Sequence, residues 1–245
     1  MHDTILLAVP LLLGLASGFI AGIATGGGMI NIPALIFMGL SPSAAIATSG
    51  LTITSSVTSA FKYHRSKLIN LRQVLPLFPL ACIGGIIGSK LLLGIDQHIM
   101  EHIFGAICIA LACVIALNKK VTRRKTGRIY SALGLLGVLL TDIFASFFGT
   151  GGGILMVYVL SYFYGLTILE ANASAKLLAI GGANSSVIIF LQAGIINFSI
   201  GVPLMIGSAI GGYIGAHTAI KKGDARVRII FLTVVIASGI KLLIF

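Results

Sequence analysis

Charged side chains are scarce in this 245-residue sequence. They make up 9% of the residues and only six are acidic, whereas 57% of the residues are hydrophobic and the mean hydropathy is +1.08. A soluble domain has about 25% charged residues, so the composition excludes an ordinary soluble protein. The longest polar stretch, residues 118–128, is too short to form a soluble domain of its own. An integral membrane protein is therefore predicted over the whole length.

Motifs of catalysis and of metal or nucleotide binding are also missing. Cys82, Cys108 and Cys113 lie in apolar segments without a Cys-x-x-Cys spacing, which argues against a metal or redox site. The chain has no Gly-x-x-x-x-Gly-Lys-[Ser/Thr] phosphate loop, no His-Glu-x-x-His and no Gly-x-Ser-x-Gly. We therefore expect no enzyme, no metal and no other cofactor. Transport by this chain would depend on a gradient or a partner.

What the sequence does contain is a series of ten apolar segments. They run approximately over residues 4–24, 26–40, 42–61, 72–95, 99–117, 129–148, 152–168, 170–192, 195–220 and 227–245. A helix needs about 20 apolar residues to cross a membrane. We predict an all-α, polytopic membrane protein with 8–10 transmembrane helices, some broken or re-entrant. Segments 26–40 and 152–168 either cross or dip and return, and the sequence leaves both options open.

Most of the 17 Lys and Arg residues lie in three connections, which follow the third, fifth and ninth segments. The positive-inside rule makes these connections cytoplasmic, so the net charge of +11 reflects topology and does not predict nucleic acid as a partner. With five segments per half, the two halves then have opposite orientations. We predict a first membrane repeat (1–117), a basic cytoplasmic linker (118–128) and a second, inverted repeat (129–245). Inverted repeats are typical of secondary transporters.

Two glycine motifs support this internal duplication. Thr-Gly-Gly-Gly occurs at residues 25–28 and again at residues 150–153, near the same place in each half. Gly84-Gly85-x-x-Gly88 recurs as Gly211-Gly212-x-x-Gly215. Such repeats indicate where the working centre of a transporter lies, because substrate sites form at the interface of the repeats.

The Thr-Gly-Gly-Gly tetrapeptides predict an anion site. Each glycine costs a helix about 1 kcal/mol relative to alanine, so the triplets should end or break their helices. The helix that restarts presents unpaired N–H groups and its positive dipole end, which attract an anion. The alternative is that the small residues only allow close packing of helices. The predicted substrate-binding residues are Thr25, Gly26, Gly27, Gly28, Thr150, Gly151, Gly152 and Gly153.

Two charged residues lie deep in apolar segments. Lys176 either neutralises the substrate anion or extends its ammonium group to the membrane surface. Further donors in the same segment would come from Asn172, Asn184, Ser185 and Ser186. Asp142 is a candidate for coupling: it pairs with Lys176, takes up a proton or faces an outer vestibule, and all three remain open.

One string of residues resembles a known family. Gly18-x-x-x-Gly22-x-x-Thr25-Gly26-Gly27-Gly28-x-x-x-x-Pro33, followed by Ser41-Pro42-x-x-Ala45-x-Ala47-Thr48-Ser49, is similar to the sulfite exporter TauE/SafE family, also called the toluene sulfonate uptake permease family. The string Phe147-Phe148-Gly149-Thr150-Gly151-Gly152-Gly153 is similar to that family's second repeat. The resemblance covers essentially the whole chain. It implies a multi-pass carrier of sulfur-containing anions in the prokaryotic cytoplasmic membrane.

We therefore predict a secondary transporter, an exporter, of small anions such as sulfite or organosulfonates, with alternating access around the two triplets. A carrier of organic carboxylates and a membrane scaffold without a substrate are the alternatives. A scaffold would tolerate alanine at Gly27 and Gly152. The expected partners are a small anionic substrate and membrane lipid, with a homodimer as one compatible assembly.

Overall fold

The computed structural model of the protein describes residues 2–95 and 132–244, with side chains described for residues 7–95 and 132–222. Within these ranges every regular element is a helix, which confirms the all-α prediction. The predicted segment 99–117 and the basic linker 118–128 lie outside the described residues. The helices are α1 (His2–Ala24), α2 (Gly28–Phe37), α3 (Pro42–Gly50), α4 (Ile53–Arg65), α5 (Leu71–Val74), α6 (Phe78–Leu93), α7 (Ala132–Phe148), α8 (Gly152–Tyr164), α9 (Ile168–Gln192) and α10 (Phe198–Ile244), with a 3₁₀ turn at Leu75–Leu77 between α5 and α6.

Four stretches of the described chain are long and apolar enough to span a membrane: Leu7–Ala24, Leu71–Leu93, Ile168–Gln192 and Phe198–Lys222. The two helices that follow the glycine triplets are shorter, with 10 residues in α2 and 13 in α8. At a rise of 1.5 Å per residue they reach only about 15 and 20 Å, against a hydrocarbon core of about 30 Å. Neither crosses alone, and this favours the dip-and-return option.

The apolar segment predicted over 42–61 is divided into α3 and α4. The division falls after Gly50, where the Thr52 hydroxyl donates a hydrogen bond of 2.7 Å to the Ser49 carbonyl. Side-chain hydroxyls of this kind compete with the backbone ladder and weaken a helix locally. A run of hydrophobic residues alone does not reveal such a break.

The last two predicted segments, 195–220 and 227–245, form the single helix α10, so the predicted loop between them is wrong. The intervening residues 221–226 contain two lysines, an alanine and an arginine, which favour a helix, beside Gly223 and Asp224, which do not, and they contain no proline. Charge suggested a loop there, but no residue in the stretch forces a helix to end.

Among the described residues, the first helix of each half packs against the last described helix of the other half. Helix α1 lies along α10, and α7 lies along α6. Glycines make both contacts close, because a Cβ atom at Gly88 would lie 2.3 Å from the Ile143 carbonyl oxygen and one at Gly215 would lie 2.2 Å from that of Phe19. Both distances are shorter than any real contact to a Cβ atom, so only glycine fits at these positions.

Hydrogen bonds between the halves occur in matching pairs. Ser59 donates to the Gly212 carbonyl at 2.9 Å, and Ser186 donates to the Gly85 carbonyl at 3.1 Å. Gly85 and Gly212 are counterparts in the duplicated motif. Ser59 and Ser186 are counterparts as well, because Ser59 precedes Gly85 and Ser186 precedes Gly212 by the same number of residues. The two repeats are thus interlocked through equivalent contacts. Their opposite orientation across a membrane stays a prediction, as do the repeat boundaries.

Candidate functional site

Both Thr-Gly-Gly-Gly tetrapeptides interrupt helices, as predicted. Helix α1 ends at Ala24 and α2 begins at Gly28, while α7 ends at Phe148 and α8 begins at Gly152. The backbone turns sharply at each break: Thr25 has a φ of 54°, and Gly151 has a φ of 78°. These are left-handed conformations, which glycine adopts readily and a β-branched threonine adopts only under strain.

The two breaks are in direct contact. A Cβ atom at Gly28 would lie 3.0 Å from the Cβ atom of Thr150, and one at Gly153 would lie 2.9 Å from the Cβ atom of Thr25. These contacts are reciprocal, since Gly28 and Gly153 hold the same place in the two tetrapeptides. The same glycines therefore allow the close packing of the helices and lie at the predicted anion site.

Polar groups at the breaks are left without partners. Within the described ranges, no hydrogen-bond acceptor is found for the N–H groups of residues 26–28 or 150–153. The hydroxyl oxygens of Thr25 and Thr150 are buried and also have no partner. Leaving one such buried group unpaired costs roughly 1–3 kcal/mol. An arrangement with this many unsatisfied donors is typical of a binding site for an acceptor-rich ligand.

A cavity of about 170 Å³ opens at these breaks, which is room for several water molecules or one small polyatomic anion. Of the predicted substrate-binding residues, Thr25, Gly27, Gly28, Thr150, Gly151, Gly152, Gly153 and Lys176 line it. Gly26 is buried and does not line it. Two clusters of buried apolar side chains adjoin it, one contributing Met156 and the other Phe190 to the wall. The site therefore lies between the two halves of the hydrophobic core.

Lys176 and Asp142 are the charged side chains among the described residues that line the cavity. Lys176, on α9, is only 3% exposed, so it does not extend to the surface as the alternative interpretation required. Asp142, on α7, is 4% exposed, which excludes an outer vestibule. Its Oδ2 atom has no hydrogen-bond partner, and no ion pair joins the two side chains.

Asn184 does not belong to the cavity, contrary to prediction. The cavity face of α9 follows the helical spacing of three and four residues, through Lys176, Ala179, Ala183, Ser186 and Phe190. Asn184 comes one residue after Ala183 and is therefore turned by about 100°. Its side chain is exposed and lies off the cavity face of the helix.

Ser186, one of the predicted further donors, lines the cavity, whereas several other hydroxyl-bearing residues there were not predicted: Ser49, Thr52, Ser55, Ser56 and Ser146. Three of them belong to a run of serine and threonine over residues 52–59, which stands out within an otherwise apolar segment. That run was the available signal. Among the described residues no group of three His, Cys, Asp or Glu side chains is arranged to hold a metal ion.

Comparison with known proteins gives consistent results. The sequence model of one family, described as "Sulfite exporter TauE/SafE", matches residues 10–242. A probable membrane transporter protein of Haemophilus influenzae is 30% identical over 91% of this chain and 89% of its own length. A probable membrane transporter protein of Sinorhizobium sp is 28% identical over 97% of this chain and 92% of its own. The probable membrane transporter protein YfcA of Escherichia coli is 25% identical over 99% and 91%. No solved structure matches the chain.

Proposed function

The chain belongs to the sulfite exporter TauE/SafE family and is a membrane transporter, and on that premise we propose that it exports a small sulfur-containing anion such as sulfite or an organosulfonate. It does so as a secondary transporter in the cell membrane. The anion binds in the cavity between the two glycine triplets. Alternating access to that cavity carries the anion across.

One observation carries this proposal: two helix starts with unpaired N–H groups, two unpartnered hydroxyls and one buried lysine converge on a single cavity. Helix N-termini favour anions, and hydrogen bonds to an ionised acceptor are about twice as strong as neutral ones. A sulfite or sulfonate group presents three oxygen atoms on one sulfur. Donors arriving from two opposed helix starts suit such a rounded group better than a flat carboxylate with two oxygens.

The short helices α2 and α8 are the parts of the site suited to movement. Each is attached through a glycine break and contacts the other across the cavity. Interlocked contacts hold the long helices of both halves together. We propose that the long helices form the frame and that the short helices open the cavity to each side in turn.

Charge balance in the cavity assigns a role to Asp142. With Lys176 and Asp142 both ionised, the lining is neutral, and an entering monoanion leaves one uncompensated negative charge. Burying such a charge costs several kcal/mol. We propose that Asp142 takes up a proton with each monoanion, so that the loaded cavity is neutral and a proton crosses with the anion, export being driven by the outward gradient of the anion.

Flux measurements in proteoliposomes test the proposed function. The purified chain is reconstituted and offered sulfite, thiosulfate, methanesulfonate and sulfoacetate, with acetate and succinate as competitors. We expect flux of at least one sulfur anion that the carboxylates compete with poorly. Stronger transport of the carboxylates would instead identify a carboxylate carrier. Absence of flux for every anion, from protein that melts cooperatively, would refute the transport of small anions.

A matched pair of variants localises that flux. Thr25→Val with Thr150→Val removes both unpartnered hydroxyls while keeping their volume, and should raise the KM for the transported anion at least about tenfold, since a hydrogen bond to a charged group contributes roughly 1.5–3 kcal/mol. Thr218→Val is the control, because that hydroxyl bonds only the Ile214 carbonyl of its own helix. Equal effects of the two changes would place the anion elsewhere.

A further inference from the structure

We infer that Tyr63 and Asn172 are positioning residues for the anion site, which hold the end of α1 so that the amides of Gly27 and Gly28, the two triplet residues that line the cavity, remain available to it. The inference rests on the function proposed above. Neither residue lines the cavity itself. Both act through the backbone of α1.

The two side chains form a buried hydrogen-bonded cluster at the last turn of α1. The Tyr63 hydroxyl donates to the Gly22 carbonyl at 2.7 Å, and the Asn172 amide donates to the Ile23 carbonyl at 2.9 Å. The Asn172 amide also donates to the Tyr63 hydroxyl at 3.1 Å. Tyr63 is 0% and Asn172 is 2% exposed. Tyr63 comes from α4 and Asn172 from α9, so the cluster ties three helices together at the break.

The two carbonyls at the end of α1 would have backbone partners if the helix continued. In an unbroken α1, the carbonyls of Gly22 and Ile23 would accept hydrogen bonds from the N–H groups of Gly26 and Gly27. Here two side chains take the place of those N–H groups. The carbonyls are satisfied, and the amides of Gly26 and Gly27 are released. Without the cluster, these groups would tend to pair with one another or fluctuate, and the site would lose donors.

The second break is enforced differently. Glycines at 149 and 151 have φ values of 66° and 78°, and a right-handed helix cannot continue through them. The counterparts of Tyr63 and Asn172 in the duplicated sequence are Phe190 and Ile46, which have no polar group to donate. The first break has only Thr25 in the left-handed region, at a cost that its surroundings must offset. The first break therefore depends on side chains and the second on glycine.

The cluster also connects to the charged part of the site. Asn172 precedes Lys176 by four residues on α9, which places both on one side of the helix about one turn apart. By holding the end of α1 against α9, Asn172 sets the distance between the amides of the first triplet and the lysine. A change at Asn172 should therefore weaken anion binding although the residue does not contact the anion.

Local hydrogen exchange tests this inference without any ligand. Asn172→Ala and Tyr63→Phe, the latter keeping the buried ring, are compared with Ser59→Ala. Ser59 donates a hydrogen bond that is likewise buried between the halves and lies one turn before Tyr63 on α4, but its acceptor, the Gly212 carbonyl, belongs to α10 and not to the end of α1. We expect exchange in a peptide covering residues 22–31 to become at least about threefold faster in the first two variants only. A peptide covering residues 146–156 should not change. Unchanged or slower exchange over 22–31, or equal acceleration in Ser59→Ala, would overturn the inference.

Anion flux provides the second readout. For the sulfur anion that the wild-type protein carries best, Asn172→Ala should raise KM about tenfold with the maximal rate within twofold, whereas Ser59→Ala should leave KM unchanged. A fall in rate without a rise in KM would indicate a structural role alone and contradict positioning. If the wild-type protein carries no anion, the proposed function fails, and the exchange experiment still decides whether the cluster holds the break.

Discussion

Replacing Lys176 by methionine should weaken anion binding selectively. The change removes the positive charge from the cavity while keeping a side chain of similar length and volume. Because Lys176 is buried and makes no ion pair among the described residues, losing its charge also removes a desolvation penalty from the folded state. We therefore expect the variant to fold at least as well as the wild type.

The size of the effect follows from the burial of the charge. Two unit charges 4 Å apart interact by about 4 kcal/mol at an effective dielectric constant of about 20. Desolvation of the anion offsets part of this, and hydrogen bonds to charged groups contribute about 1.5–3 kcal/mol in practice. Since about 1.4 kcal/mol corresponds to a factor of ten, a loss of roughly 2–3 kcal/mol raises KM about 30- to 150-fold. The remaining donors at the helix starts would sustain weak binding.

The assay is the concentration dependence of flux in proteoliposomes, combined with thermal unfolding of the same preparations. Lys90→Met is the control because Lys90 lies in the last turn of another apolar helix, α6, but is exposed. Its KM should match that of the wild type. If Lys176→Met also kept the wild-type KM and melted normally, the lysine would not contact the anion, and the electrostatic part of the site would be refuted.

Two further predictions concern coupling and packing. Asp142→Asn should abolish the acceleration of flux by a pH gradient, because the amide cannot take up the proton that neutralises the loaded cavity. Anion exchange measured without a pH gradient should persist. Flux that still followed the gradient would exclude Asp142 as the coupling residue. Gly85→Ala should lower Tm through a loss of at least about 1–3 kcal/mol, because its Cβ atom would lie 2.2 Å from the Gly182 carbonyl oxygen. Gly94→Ala, whose nearest neighbour would be 3.7 Å away, is the control, and an equal loss of Tm in both would contradict the interlocked packing.

Those parts of the fold that depend on long-range composition could be predicted from the sequence. The apolar runs within residues 2–95 and 132–244 form helices, and each Thr-Gly-Gly-Gly ends one helix before another begins. The parts that depend on a balance of small local terms could not. The chain breaks between α3 and α4, where the Thr52 hydroxyl bonds the Ser49 carbonyl, whereas the lysines in residues 221–226 do not break α10. Both outcomes turn on about 1 kcal/mol per residue, which lies within the scatter of helix propensities.

The site was predictable to the extent that it is duplicated. Thr25 and Thr150 were identified because they occur twice in equivalent places, and the structure brings them together. Lys176 was identified because a charge deep in an apolar segment is costly. The prediction of Asn184 was wrong because lying on the same helix as Lys176 does not place a residue on the same face of that helix. Packing decides which face lines the cavity. Asn172 was predicted only as a further donor to the substrate, and its pairing with Tyr63 could not be predicted because the two residues lie more than 100 residues apart.

The glycine triplets cannot by themselves decide between a transporter and a scaffold. A scaffold was expected to tolerate alanine at Gly27 and Gly152. The structure contradicts that expectation, since a Cβ atom at Gly152 would lie 2.2 Å from the Cβ atom of Ala145, and one at Gly27 would lie 2.9 Å from that of Ala21. Alanine at Gly27 or Gly152 would therefore disturb the packing of the protein whether it is a transporter or a scaffold. Because the triplets serve packing and donor exposure through the same atoms, the discriminating variants are those that preserve volume and remove only polarity, as Thr25→Val, Thr150→Val and Lys176→Met do.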